Sequence, residues 1–349
     1  APPTSRAGVA PSSASSQAAV VWLAKAEAKG GKTVVSWSSV PVARAVPEQV
    51  RRQAGAFNAS EDIGRDRRGT WHAQAGQDRT AAKLLRMRRG GFFLDLAANE
   101  PVILSNSRTL ERDLGYTGIC IEANPFYWGA LARVRSGCAV VGAAISSDLG
   151  TVKFRAFKAR GQSRNSGIVG GELDNKALGK GAGHDAWYEF EAQTVSLGDV
   201  LRGLKAPPQL DYFSLDIEGA ELLAMRTFPW ADFRFSVLTV ERPKPELQNL
   251  LEQNGYTYLC DHGMFGDQTW VDSKELSKGP LKSSISLEGV QVEEGPTVHR
   301  TKNQMSDKAT DPKGKRCDLN LHTGLYGTHP KHRSRDRKRS ELGSTRARG

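Results

Sequence analysis

Residues 92–100 read Phe92-Phe93-Leu94-Asp95-Leu96-Ala97-Ala98-Asn99-Glu100, and residues 118–125 read Gly118-Ile119-Cys120-Ile121-Glu122-Ala123-Asn124-Pro125. Each is an apolar run of strand length that ends in an acid and small or turn-forming residues. A run apolar on successive positions is buried on both faces, the mark of a strand inside a parallel sheet. Residues 109–114 between them have room for a helical turn or two before Gly115.

The pattern repeats downstream. A helix over 127–134 precedes an apolar run at 139–145, and residues 151–157 alternate like an edge strand. Core runs at 210–216 and 235–241 are each followed by a helical stretch, at 221–228 and 245–254. Upstream, Ala81, Leu84, Leu85 and Met87 make a short amphipathic helix. Such β-α repeats predict an α/β fold with a parallel sheet and helices on both faces. Runs at 256–261 and 268–272 lack a helix between them and carry turn signals at Gly263 and Gly266, so they should close the sheet as an antiparallel pair.

The chain has 349 residues and a net charge of +11, which invites a polyanion partner, but the excess lies at the ends. Residues 300–349 carry 14 Lys and Arg against 5 Asp and Glu, and residues 1–69 carry 10 against 5, whereas 70–275 is close to neutral. This predicts a central domain over 70–275 with no specific nucleic-acid partner, a poorly ordered basic segment over 1–69, and a disordered basic tail over 276–349. The start is rich in Ala, Ser, Pro and Val and begins with Ala, so it reads as a linker or a transit segment. An organellar or secretory destination follows from the second reading, and a cytoplasmic one otherwise. No apolar run approaches the roughly 18 residues of a membrane span. The four cysteines, at 120, 138, 260 and 317, are far apart without CxxC spacing, which predicts neither a disulfide framework nor a zinc site.

In open α/β sheets ligands bind beyond the carboxyl ends of the strands. Small residues at 97–98 let a ligand approach the backbone there. Glu122, 27 positions after Asp95, is placed to accept hydrogen bonds from both hydroxyls of a nucleoside ribose. Asp216 and Glu218 follow a buried run, where a carboxylate would stand near a cofactor's reactive end; helix capping is the plainer alternative. Asp216, Glu218 and Glu241 could gather a divalent ion, but capping and strand-end roles explain them without one, so no metal is expected. The glycine-rich stretch 158–191 is a long loop, with His184 beside Asp185, Trp187 and Tyr188. That mix suits either a lid over a polar acceptor or a solvated loop.

Taken together, these stretches resemble the FkbM-type S-adenosylmethionine-dependent methyltransferases over residues 77–271. Gly76-Gln77-Asp78, the two opening stretches, Val141-Gly142-Ala143-Ala144-Ile145, Thr194-Val195-Ser196-Leu197, the run 211–221 and Val237-Leu238-Thr239-Val240-Glu241 all occur in the family's order. The resemblance implies a Rossmann-like class I methyltransferase sheet of seven mostly parallel strands with an antiparallel last pair. It implies S-adenosylmethionine as cofactor, with Gln77 among the residues that bind it and Asp95 and the turn over Ala97 and Asn99 at its methionine part. Glu122 would then lie at the ribose, Ala143 and Ala144 beside the adenine, and Asp216 facing the sulfonium. Asp216 is the leading base, with Glu218 and Glu241 next and His184 or His262 as outsiders, and the acceptor is a hydroxyl on a sugar, glycan or other small molecule. The family's first motif commonly reads Asp-x-Gly-Ala-Asn-x-Gly, and here Ala97 and Pro101 replace its glycines. Those replacements raise a second reading, a binding module with weakened catalysis. A third, nucleic-acid methylation, rests only on the basic end.

Overall fold

In the computed structural model, residues 20–29, 32–48, 50, 66–157, 166–169, 187–262, 266–277 and 317 are described. They form an α/β fold around a mixed nine-stranded sheet. Its strands are β1 (Val20–Lys29), β2 (Lys32–Pro41), β3 (Phe92–Leu96), β4 (Thr117–Ile121), β5 (Cys138–Val141), β10 (Gln209–Leu215), β11 (Arg234–Val240), β12 (Tyr256–His262) and β13 (Asp267–Asp272). In space they run β12-β13-β11-β10-β3-β4-β5-β1-β2. From β3 to β5 the chain moves outward to one side; β10 and β11 then return to the other side of β3. The order therefore reverses between β3 and β10, where the strand ends splay and leave a crevice. The expected antiparallel last pair is present, with β13 antiparallel to both β11 and β12.

Side chains alternate across this sheet. Leu94, Leu96, Ile119, Ile121, Phe213, Leu215, Leu238 and Val240 point into one apolar layer, packed by helices α5 (Leu197–Gly203), α6 (Glu221–Arg226) and α7 (Pro245–Gln253). Phe93, Cys120, Val140, Tyr212 and Val237 point into the other, packed by α2 (Gln77–Leu84), α3 (Arg108–Leu114) and α4 (Pro125–Val134). Burial of this kind stabilises by about 1.5–3 kcal/mol per large apolar side chain.

Three expectations need correction. The segment 1–69 contributes structure: β1 and β2 form an antiparallel hairpin whose Trp22 pairs with Val141, adding two strands to the seven expected. Helix α1 (Val42–Ala45) follows it, and Asp66 enters partly buried ion pairs with Arg108 and Arg112. The linker-like composition concealed a strand that is apolar on both faces, with Val21 and Leu23 on one and Trp22 and Ala24 on the other.

Secondly, the glycine-rich stretch is not wholly loop. Trp187–Val195 is β9, which pairs with β6 (Ala144–Ile145) and β7 (Gly150–Phe157); β8 (Gly167–Ile168) pairs with β7. These four make a second sheet whose core includes Phe154, Tyr188 and Phe190. Residues 139–145, read as one run, divide between the two sheets. His184 lies outside the described residues.

Thirdly, the cysteines pair, Cys120 with Cys138 and Cys260 with Cys317. The first pair joins neighbouring strands whose register, Gly118 opposite Cys138, sets their Cα atoms 6.0 Å apart. Spacing along the chain does not reveal that adjacency. The second ties residue 317 to β12, with Cys317 N–H donating to the Asp261 carbonyl; the rest of 278–349 lies outside the described residues. Among the described residues no helix is long and apolar enough to cross a membrane.

Candidate active site

A cavity of about 370 Å³ opens at the carboxyl ends of β3, β4, β10 and β11. Its lining includes Gln77, Asp95, Ala97, Asn99, Glu122, Ala143, Ala144, Asp216, Glu218 and Glu241 of the residues singled out from the sequence. Phe154 and Ile168 of the second sheet complete one wall.

The bank formed by β3 and β4 is fully braced. Asp95 shares the face of Phe93 and accepts a hydrogen bond from Ser107 Oγ. Behind it lies Arg135, only 1% exposed, with Nη1 3.9 Å from the Asp95 carboxylate. Arg135 also donates to Glu111, to Ser105 Oγ at 3.1 Å and to Ser107 Oγ at 2.7 Å. Burial raises the Asp95 pKa, and Arg135 and Ser107 oppose that rise. Ala97 turns the chain with φ +62° and Asn99 with φ +48°. Ala97 therefore takes the left-handed conformation that glycine suits, at a cost of about 1–2 kcal/mol. Pro101 is buried past this turn and does not line the cavity.

Glu122 anchors the turn to β4. Its Oε2 accepts from Asn99 N–H at 2.8 Å and its Oε1 from Asn124 N–H at 2.7 Å. Burial still lifts its pKa to about 7, against the pull of those two N–H groups. Trp128 donates Nε1–H to the Glu122 carbonyl at 2.7 Å. Gly142 makes this possible, since a Cβ there would stand 2.5 Å from the Trp128 ring. Tyr188 of the second sheet donates its hydroxyl to Asn124 Oδ1 at 3.0 Å and so fastens that sheet to the rim.

The bank formed by β10, β11 and β13 is different. Asp216, Glu218 and Glu241 bring carboxylate oxygens within 4.8 Å of one another. Neither Asp216 nor Glu218 caps helix α6, so the capping alternative fails. Glu221 Oε1 instead takes the N–H groups of Ile217 and Gly219, each at 3.0 Å. Burial, then Glu241, holds the Asp216 carboxyl well above its ordinary pKa. The same causes push Glu218 to about 8 and Asp267 to about 6. Arg242 reaches Glu218 at 3.3 Å and also Glu241. Glu218 (φ +56°) and Arg242 (φ +37°) add two more strained positions to this rim, and such strain gathers at functional sites.

Gln77 spans the space between these parts, accepting from Ala75 N–H at 2.8 Å and donating to Asp267 at 2.7 Å. His262 is no base here. It is buried outside the cavity lining, shares a 2.6 Å hydrogen bond with Thr269 and has its pKa lowered to about 4 by burial. Sequence reasoning missed Asn106, whose Nδ2 donates to Ser214 Oγ at 3.0 Å beside Asp95, and it missed Asp267. Asp267 had a signal: an antiparallel strand beside β11 begins where β11 ends, so its first residue lies next to Glu241.

Residues 95–258 match the family model of the methyltransferase FkbM domain. That segment is a methyltransferase FkbM domain. Among solved structures, the precorrin-6y C5,15-methyltransferase of Geobacter metallireducens aligns with 12% identity over 56% of this chain and 85% of its own, with a TM-score of 0.26, too slight a likeness to carry an argument. No curated protein sequence matches the chain. The chain thus carries a methyltransferase domain whose matched segment runs from the cavity acid Asp95 to within β12.

Proposed function

We propose that the cavity binds S-adenosylmethionine and directs its methyl group to a hydroxyl of a sugar or another small acceptor. The carrying observation is chemical: acids at the tips of adjacent strands converge on one cavity, together with buried oxygens that want donors. Asn99 Oδ1, Asn106 Oδ1, Glu241 Oε2 and Asp267 Oδ1 all line it, buried and without a hydrogen-bond partner among the described residues. A buried acceptor left alone costs about 1–3 kcal/mol. A ligand that carries ammonium, ribose hydroxyls and an adenine amine satisfies such groups, and its positive charge suits the acids, so the residues fit this cofactor.

In this reading Asp95, Asn99 and Asn106 hold the amino-acid end, and Glu122, whose oxygens each keep a second lone pair, accepts from the ribose. Ala143 and Ala144 leave a flat apolar gap for the base. The cofactor supplies an electrophilic methyl on a sulfonium. Asp216 faces that end. Burial and Glu241 raise its pKa and so favour the protonated form, and a nearby positive charge favours the ionised one. The resulting carboxylate can accept the acceptor's hydroxyl proton as the new carbon–oxygen bond forms. Orientation and charge complementarity supply most of the rate.

Hydroxylated acceptors offered with S-adenosylmethionine should yield S-adenosylhomocysteine and an equal amount of methyl ether. Acceptor-dependent product that is unchanged by Asp216→Asn would overturn the assignment of the base. Cofactor binding with no product from any acceptor would favour the binding-module reading.

A further inference from the structure

Methyl transfer as described above uses Asp216, yet the β10–β11–β13 bank holds more negative charge than one sulfonium balances. Asp216, Glu218 and Glu241 each offer an oxygen, all within 4.8 Å of one another. Two oxygens on one calcium-sized ion at 2.3–2.6 Å stand at most about 5 Å apart, so this spacing admits a single ion among the three. Asp267 supplies an independent observation. It is 7% exposed and lines the same cavity; Gln77 holds its Oδ2 at 2.7 Å, its Oδ1 is buried without a partner among the described residues, and its charge bears on Asp216. Glu241 Oε2, within the trio itself, is buried and unpartnered in the same way. The counter-charge at hand is Arg242, whose side chain is 55% exposed, reaches Glu218 and Glu241, and eases Asp267 as well; among the described residues it makes no ion pair with Asp216. Carboxylates this close cannot all ionise unaided.

We propose that Asp216, Glu218 and Glu241, with Asp267 beside them, form a binding site for a divalent cation. The donor set is oxygen alone, which selects hard ions of the magnesium, calcium and manganese type over zinc or copper. Three carboxylates fill half of an octahedral shell and leave the remaining positions to water and to an oxygen of the acceptor. An acceptor hydroxyl on the ion ionises more readily and is held beside Asp216. The acceptor class narrows accordingly to compounds whose hydroxyl can ligate a hard cation. Arg242 competes with the ion for Glu218 and Glu241.

The test is calorimetric titration of the full chain, free of cofactor, with magnesium, calcium and manganese chlorides in turn, alongside thermal unfolding with and without each ion. At least one ion should bind with one-to-one stoichiometry and raise the melting temperature, as any ligand specific to the folded state must. Glu241→Gln should weaken binding at least tenfold and Asp267→Asn several-fold. Both relieve like-charge repulsion, so both variants should melt no lower than the parent without ion. Arg242→Ala should tighten binding several-fold. The proposal falls if no ion binds saturably, if Glu241→Gln and Asp267→Asn leave the affinity unchanged, or if Arg242→Ala weakens it. The absence of cofactor keeps the two readings apart: a chain that binds S-adenosylmethionine but no cation loses this proposal and keeps the earlier one.

Discussion

The two banks of the cavity use the same residue type to opposite ends. On the β3–β4 bank Asp95 and Glu122 have donors in place. Asp95 has Ser107 and the buried Arg135, and Glu122 has two backbone N–H groups. On the β10–β11–β13 bank the acids face one another, with one half-exposed guanidinium among them. The first bank is rigid before any ligand arrives. The second is repulsive and gains from a positive charge. In the proposed reading, holding a cofactor and responding to one fall to different strands.

The contrast is broken most severely at Arg135. Arg135→Met leaves Asp95 buried without its cation and Glu111 with Arg108 alone, and should cost about 3–5 kcal/mol, read by denaturant unfolding. Neutralising an acid on the opposite bank should do the reverse, so Asp216→Asn should keep or raise stability. Its loss should appear in turnover, about a hundredfold, with cofactor affinity changed by less than tenfold. A fall in affinity as large as the fall in turnover would assign Asp216 to the holding bank. The smallest effect belongs to the strained turn. Ala97→Gly relieves φ +62° and should stabilise the fold by about 1 kcal/mol, after the extra chain entropy of glycine is subtracted. A melting temperature lower by several degrees would show that the Ala97 methyl packs in a way its strain conceals.

The main sheet was legible because its strands carry their own signal. Runs such as 92–96 and 210–215 are apolar on both faces, and the acids that end them fall at the crevice by topology alone. The hairpin over β1 and β2 was not legible, because alanine and serine give little periodicity and its partner, Val141, is about 120 residues away. Strand β9 was hidden by the glycines before it, although Tyr188, Phe190 and Ala192 alternate. The disulfides depend on strand adjacency, which separations of 18 and 57 residues do not express. Within the cavity, Asp95, Glu122 and Asp216 could be named from their places at strand ends. Arg135 and Asn106 could not, since both come from loops whose course only the packed structure fixes. The choice between capping and a free role for Asp216 and Glu218 was also out of reach, for it turned on where one side chain, Glu221, points.

The central claim is that this acid-tipped cavity takes a cationic nucleoside cofactor, and titration with S-adenosylmethionine across pH tests it most directly. Glu122, Glu218 and Asp267 have folded pKa values raised to about 7, 8 and 6. Stability that the empty site has below the unfolded carboxylate range, near pH 4, is therefore lost as pH rises through these values. A cationic ligand binds the ionised forms and releases protons, so its affinity should move the other way. The account predicts binding that tightens from pH 6 to pH 8.5 while the melting temperature of the empty chain falls, and that Glu122→Ala weakens at least tenfold. No binding at either pH, or binding indifferent to both pH and Glu122→Ala, would contradict it.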